Sequence, residues 1–297
     1  MTEPVLLAEL WRGDFLESRH LGHAIVVSHT GDVVDAWGNP DLQLLPRSAV
    51  KMLQALPLVE SGAAARAGLS SEDLALACGS HTGAAIHTTR VADWLDRLGL
   101  GEADLRCGPQ TPDDAPARHG LRAEGHAPCQ LHNNCSGKHA GFLTLSRDLG
   151  AGPEYVDPAH AVQRRIHAAT EELTGNSVPG FGIDGCSAPN FVTTLRGLAT
   201  ALARFARPEG LGRTRADAIG QLVEAMRAHP ILIEGVGTAS TNLTAVTSGR
   251  TVVKTGAEGV FAAILPELGL GVALKVEDGA TRASEAAIAG TRRWPHS

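Results

Sequence analysis

Strand-like apolar runs sit at the two ends of this chain, and helix-like segments fill the span between them. AIVVS at 24–28, a turn around Gly31 and Asp32, and VVDAW at 33–37 have the pattern of a β-hairpin. Toward the other end, TVVKTG, GVFAAIL and LGVALKV are short β-type runs joined by glycine-containing turns. Joined in one antiparallel sheet, these two portions define an α+β fold whose helical region, about 46–230, is inserted between the first and last strands. No Pro/Ser-rich linker, repeat or low-complexity stretch divides the 297 residues, so a single domain over 1–297 is expected, with length enough to bury a sizeable core.

Within the insertion, a helix starts near Arg47 and Ser48, after Pro46, and runs through AVKMLQALPLVE, with Pro57 weakening its last turns. Leu53, Leu56 and Leu58 are core positions of that helix. Further helices are expected over 87–98, 137–149, 190–205 and 215–228, and a last one over 281–293. Asp157 is placed to cap a helix that keeps its register through Ala161, Ile166, Ala169 and Leu173 and stops at Gly175. Residues 101–131, rich in Pro, Gly and His, read as a long irregular crossing.

A net charge of −6 gives no electrostatic case for nucleic acid or an acidic membrane as partner. No apolar run is long enough to cross a bilayer, and the opening MTEPVLLAELWRGD lacks a basic leader region. Five cysteines, an odd number in a chain of this length, suit a reducing cytoplasm better than a disulfide framework. Cys78, Cys107 and Cys129 show no paired spacing and read as reduced thiols.

Of the 26 basic side chains only four are lysines: Lys51, Lys138, Lys254 and Lys275. A chain so biased toward arginine keeps lysine mainly where arginine cannot replace it, because a buried lysine gives up its proton and arginine does not. Lys51 follows Ser48 by three residues in RSAVK, a spacing that puts ammonium and hydroxyl on one helix face. Serine needs such an adjacent base to act as a nucleophile. Lys254 lies in a β-type run and is followed at once by Thr and Gly in VVKTG, where Gly256 would let a substrate approach the backbone. Ser80 sits on a turn in CGSHTG. Singly, each is an ordinary surface or turn feature. In this order, the three resemble the arrangement of serine β-lactamases and penicillin-binding proteins, in which the middle serine hydrogen-bonds the strand lysine. Lys275, in LGVALKVED, reads as an ordinary surface lysine.

The run HNNCSGKHAG places Cys135 and His139 four residues apart at a helix start, a common metal-ligand spacing, with Cys186 in GIDGCSAP as a second thiolate and Asp184 beside it. The alternative is a small buried thiol with a capping lysine. Gly137-Lys138 is not a phosphate loop, because His132 stands where the leading glycine would be and His139 replaces Ser/Thr. His23, His87, His119, His126, His160 and His167 carry no assigned role.

Taken together, ELWRGDFLESRH (9–20), PRSAVKMLQALPLVESG (46–62), CGSHTG (78–83), HNNCSGKHAG (132–141), GIDGCSAP (182–189) and VKTGAEGV (253–260) resemble the L-asparaginases of the Rhizobium etli type, the asparaginase II or class 3 family. The resemblance spans roughly 5 to 280. It implies a serine β-lactamase-like fold, a homodimer and hydrolysis of L-asparagine to L-aspartate and ammonia. It implies Ser–Lys pairs at Ser48–Lys51 and Ser80–Lys254, and a Zn2+ site at Cys135, Lys138 and Cys186 with Asp184 touching the metal-bound water. Lys138 thereby replaces His139 as the nitrogen ligand. Members of the family continue past the last helix into a further strand, whereas this sequence ends at TRRWPHS, so a shortened sheet edge or an altered dimer surface is expected.

By this reading Ser48 is the nucleophile, Ser80 with Lys254 passes a proton to the leaving amine, and Arg47 binds the substrate carboxylate. Backbone N–H groups of the nucleophile and of Ala257 form the oxyanion hole by analogy with the β-lactamase-like fold. The rival readings are a β-lactam or peptide hydrolase using the same serines and lysines, and a non-catalytic, zinc-stabilised amino-acid-binding relative.

Overall fold

The computed structural model describes residues 2–290. Six strands form the main sheet: β1 (Val5–Arg12), β2 (Phe15–Ser28), β3 (Val33–Trp37), β4 (Val252–Thr255), β5 (Val260–Leu265) and β6 (Leu270–Val276). All pairs are antiparallel, in the order β1-β2-β6-β5-β4, with β3 also on β2. The 14-residue β2 is long enough to serve three partners. Its first half pairs with β1 (Leu6↔Leu21), its second half with β3 (Ala24↔Trp37), and its other edge takes β6 (Ala24↔Leu274). The two ends of the chain therefore meet at β2–β6, and the expected α+β architecture with an inserted helical body is what the protein adopts.

Strand alternation divides the apolar side chains between the two faces of the sheet. Ile25, Val27, Ala262, Ile264 and Ala273 join the large core shared with the helical body. Ala24, Val26, Phe261, Val272 and Leu274 form a second cluster with Ala283 and Ile288 of the Thr281–Gly290 helix. Burial on both faces explains why β5 and β6 read as nearly continuous apolar runs. The body packs on the first face through the Leu195–Ala206 helix, and Lys51–Glu60 lies within the body, buried from Lys51 to Val59. Leu53, Leu56 and Leu58 are core residues, as expected.

Several local expectations are corrected. The first strand pair, β1 with the N-terminal half of β2, is largely exposed or only partly buried and shows no clean alternation, so it was not expected as strand. The 101–131 crossing contains the Ala115–Glu124 helix, capped by Asp114 through its carboxylate and ended by left-handed Gly125. Asp157 does not cap the Ala161–Thr174 helix; His160 does, its Nδ1 accepting the Val162 N–H, and the helix stops at Gly175 as expected. Pro189–Phe191 and Thr193–Thr194 are short strands, and the helix there begins only at Leu195. The Ser71–Cys78 and Ala239–Val246 helices were not anticipated. Pro57 leaves its helix intact to Glu60. Of the last helix, residues 291–293 lie outside the described residues. Lys275 is only partly exposed, and its ammonium donates to the carbonyls of Glu258 and Val276 at 2.7 and 2.6 Å.

Candidate active site

Four segments far apart in sequence meet where the insertion joins the sheet. Ser48 lies in the 3-10 turn Arg47–Val50, which runs directly into the Lys51–Glu60 helix. Arg47 has φ +53°, a left-handed conformation that costs an L-residue other than glycine about 1 kcal/mol. The turn is held from two sides. On one, the side-chain amide of Asn190 accepts the Arg47 N–H at 3.1 Å and donates to the Arg47 carbonyl at 3.3 Å. On the other, Gly256, just after β4, comes so close that a Cβ there would lie 2.9 Å from the Pro46 carbonyl oxygen. The close approach that Gly256 permits is therefore made by the chain's own backbone.

Lys51 and Lys254 are each only 1% exposed, and both ammonium groups donate to the Ser80 hydroxyl oxygen at 2.8 Å. Lys51 also donates to the Gly79 carbonyl at 2.5 Å, and Lys254 to the Thr255 carbonyl at 2.9 Å. The Ser80–Lys254 contact is present as expected. Lys51, by contrast, directs its hydrogen bonds to Ser80 and Gly79 and makes none with Ser48 among the described residues. Burial, followed by the neighbouring Lys51, lowers Lys254 to about 7. The carboxylate of Glu234 opposes this shift in part. Cys78, buried under the same lysines, is pushed up to about 12 by burial and is therefore no nucleophile.

Ser80 is positioned by its neighbours in the chain. The Ser71–Cys78 helix ends at Gly79 in extended conformation, and the next residues lie alongside 232–234, with Ser80 N–H donating to Ile233 and Thr82 N–H to Glu234. A Cβ on Gly79 would stand 2.7 Å from the Leu232 carbonyl oxygen and force these segments apart. His81, 1% exposed, donates from Nε2 to Ser136, whose hydroxyl in turn donates to Leu131; its Nδ1 accepts the Gly83 N–H. This network fixes the His81 tautomer and ties the Ser80 turn to the Ser136–Asp148 helix.

That helix carries Lys138. Its Nζ lies 3.0 Å from Cys186 Sγ, and Cys135 hydrogen-bonds the same sulfur. Cys135, Lys138 and Cys186 are all buried. The hydrogen bond from Cys135, reinforced by Lys138, holds Cys186 well below the usual thiol value, while Cys135 itself is pushed up to about 12. Burial alone would lower Lys138, but the two sulfurs outweigh it and hold the ammonium above the ordinary lysine value. Among the described residues no three His, Cys, Asp or Glu side chains gather as a metal requires, and beside the two sulfurs Lys138 supplies a nitrogen. His139 points elsewhere, with Nδ1 against the Tyr155 hydroxyl at 3.0 Å. Two cysteine sulfurs and one amine nitrogen are a donor set that suits zinc, provided Cys135 and Lys138 lose their protons on binding.

Asp184 bridges the two halves of the site. Its Oδ1 accepts from Arg47 Nε and Nη2 at 3.1 and 2.8 Å and from the Gly185 N–H at 2.9 Å. Burial raises its carboxyl, but the Arg47 hydrogen bonds and Lys138 outweigh this, and the net shift is downward. Arg47, assigned to a substrate carboxylate, is thus paired with Asp184 in the free protein. Ala257 is exposed beside Gly256. Sequence reasoning missed His81 and Asn190. His81 lay inside a motif already quoted, and Asn190 one residue beyond the end of another.

A long antiparallel sheet with an inserted helical body is a serine β-lactamase-like fold, and here it carries a serine held by two buried lysines, one of them on the edge strand. Solved structures agree on the fold. A β-lactamase from Mycobacterium bovis superposes with a TM-score of 0.50 at 14% identity over 91% of this chain and 94% of that one. Mglu in its native form gives a TM-score of 0.52 at 16% identity over 92% of this chain and 64% of that one. Its L-glutamate binding form gives 0.52 at 17% identity, over 92% and 58%. A search of curated protein sequences finds no match. The family model of L-asparaginase II matches residues 8–291, and the chain belongs to that family, which makes it a hydrolase of the L-asparaginase type.

Proposed function

We propose that this protein hydrolyses L-asparagine to L-aspartate and ammonia through an acyl-enzyme. The observation that carries the reading, beside family membership, is the Ser80 hydroxyl held at 2.8 Å by both Lys51 and Lys254. A neutral lysine amine takes the Ser48 proton, and the serine oxygen attacks the side-chain amide carbon. The tetrahedral oxyanion is met by the backbone N–H groups of Ser48 and Ala257. As it collapses the C–N bond breaks, and Ser80, resupplied by Lys254, gives the departing nitrogen its proton, so that ammonia leaves. Water then attacks the ester, the same groups take its proton, and L-aspartate and free Ser48 are released. With a value of about 7, Lys254 exchanges protons readily near neutral pH.

Arg47 is the group for the substrate's α-carboxylate, and Asp184, which neutralises it in the free protein, is suited to the α-ammonium. Cys135, Lys138 and Cys186 would hold Zn2+, and Asp184 lies two residues from Cys186. Bound zinc would supply a fixed positive charge that orients substrate beside Arg47. The reading includes a homodimer, as the family resemblance implies. It also includes residence in the cytoplasm, supported by five free cysteines. No helix among the described residues is long and apolar enough to cross a membrane.

A second reading makes Ser80 the nucleophile, because it is the serine in contact with both lysines. Mass spectrometry of Ser48→Ala and Ser80→Ala after brief exposure to substrate separates the two: an acyl adduct on Ser48→Ala overturns the first reading. The overall activity is tested by ammonia release from L-asparagine with and without a chelator, beside nitrocefin hydrolysis. Turnover of nitrocefin alone would identify a β-lactam hydrolase. Ligand binding with no ammonia release from zinc-replete protein would identify a binding protein.

A further inference from the structure

We propose that Asn190 is the positioning residue of the Ser48 nucleophile: its side-chain amide holds Arg47 in the left-handed backbone conformation and so fixes where the Ser48 hydroxyl stands. This rests on the reading of Ser48 as nucleophile. Asn190 is 2% exposed, and its amide accepts the Arg47 N–H at 3.1 Å while donating to the Arg47 carbonyl at 3.3 Å. A primary amide offers a donor and an acceptor on one planar group, so it can grip both backbone polar atoms of a single residue. Aspartate offers only the acceptor, and alanine neither.

The origin of Asn190 gives the clamp its leverage. It belongs to a small hairpin, Phe181–Ile183 with Pro189–Phe191, in which it pairs with Gly182. The turn of that hairpin carries Asp184, which holds the Arg47 guanidinium, and Cys186, which contacts Lys138. One hairpin therefore grips Arg47 by backbone and by side chain and anchors itself on the buried thiol cluster. The Ala49 N–H to Pro46 carbonyl bond at 3.2 Å closes the turn around Ser48. Released from Asn190, Arg47 relaxes to the negative φ that a side-chain-bearing residue prefers. This rotates the peptide leading into Ser48 and changes where its hydroxyl points.

The test uses a fluorophosphonate, which reports serine reactivity whatever the natural substrate, on wild-type protein, Asn190→Asp and Asn190→Ala. Labelling is followed by intact mass and mapped by peptide analysis. The label is expected on Ser48, slowed about 10- to 100-fold in Asn190→Ala and by less in Asn190→Asp. With L-asparagine, kcat falls by similar factors while KM stays within about twofold. The lysine signals of these variants, followed by NMR, titrate as in wild type, which a general loosening of the site would not allow. Labelling of Asn190→Ala at the wild-type rate, label on Ser80, absence of label on wild type, or equal slowing of both variants with displaced lysine titrations each overturns the proposal. If the labelling pattern holds but L-asparagine is not hydrolysed, the substrate reading fails and the positioning role stands.

Discussion

Removing the Lys51 charge should move the titration of Lys254, and the structure sets the size of the effect. Each Nζ lies 2.8 Å from the same Ser80 oxygen, so the two nitrogens are separated by at most twice that distance, about 5.6 Å. At an effective dielectric of about 20, two unit charges at that distance repel by ~3 kcal/mol, or ~2 pKa units. Burial is the larger cause of the depression of Lys254 to about 7, with Lys51 second, so Lys51→Met should raise it by ~2 units and still leave it below the ordinary lysine value. With only four lysines in the chain, [ε-13C]lysine labelling gives four NMR signals, each assigned by one substitution. One signal should titrate near 7 in wild-type protein and near ~9 in Lys51→Met. The reasoning is refuted if all four titrate above ~10, or if Lys254 does not respond to the loss of Lys51. The same shift links to stability. Between about 7 and the ordinary 10.5 the unfolded chain holds a proton that the native chain has released, so the Lys254 contribution to stability rises with pH across that window.

Ser80→Ala leaves two buried ammonium groups without their shared acceptor; steady-state assays should show activity down at least ~100-fold, and thermal melts a lowered Tm. Gly256→Ala puts a Cβ 2.9 Å from the Pro46 carbonyl oxygen and 3.0 Å from Val260 Cβ, so a loss of ~1–3 kcal/mol by urea unfolding should accompany impaired turnover. Zinc at 100 times its dissociation constant should stabilise the native protein by ~2.7 kcal/mol, read as a raised unfolding midpoint, and Cys186→Ala should abolish the response.

Much of this was legible because of composition. In an arginine-rich chain each lysine stands out, and the two that contact Ser80 sit in motifs whose spacing carries chemical meaning. The sheet was visible wherever burial on both faces gave unbroken apolar runs, as in β5 and β6. It was invisible in β1, where six of the eight residues are apolar but none is fully buried, so no alternation of buried and exposed positions marks a strand. The sharing of Ser80 by both lysines was beyond local reasoning, since helix geometry put Lys51 beside Ser48 and only tertiary packing brings the Ser80 turn to it. Asn190 was hidden for a related reason: its role is to hold another residue's backbone, and no spacing rule encodes that. His160 displaced Asp157 as a helix cap because Asp157 spends its carboxylate on the Ala159 N–H.

The junction of the two chain ends at β2–β6 also decides when the site comes into being. Ser80 and Lys254 are 174 residues apart in sequence, and β4 joins the sheet on β5, which pairs through β6 onward to β2. A growing chain that has emerged through the Ala239–Val246 helix carries Ser48, Lys51 and Ser80 but lacks the second lysine. It also lacks the glycine that backs the Ser48 turn. The meeting of Ser80 with both lysines thus waits on some of the most non-local contacts of the fold, which are the slowest class of contact to form.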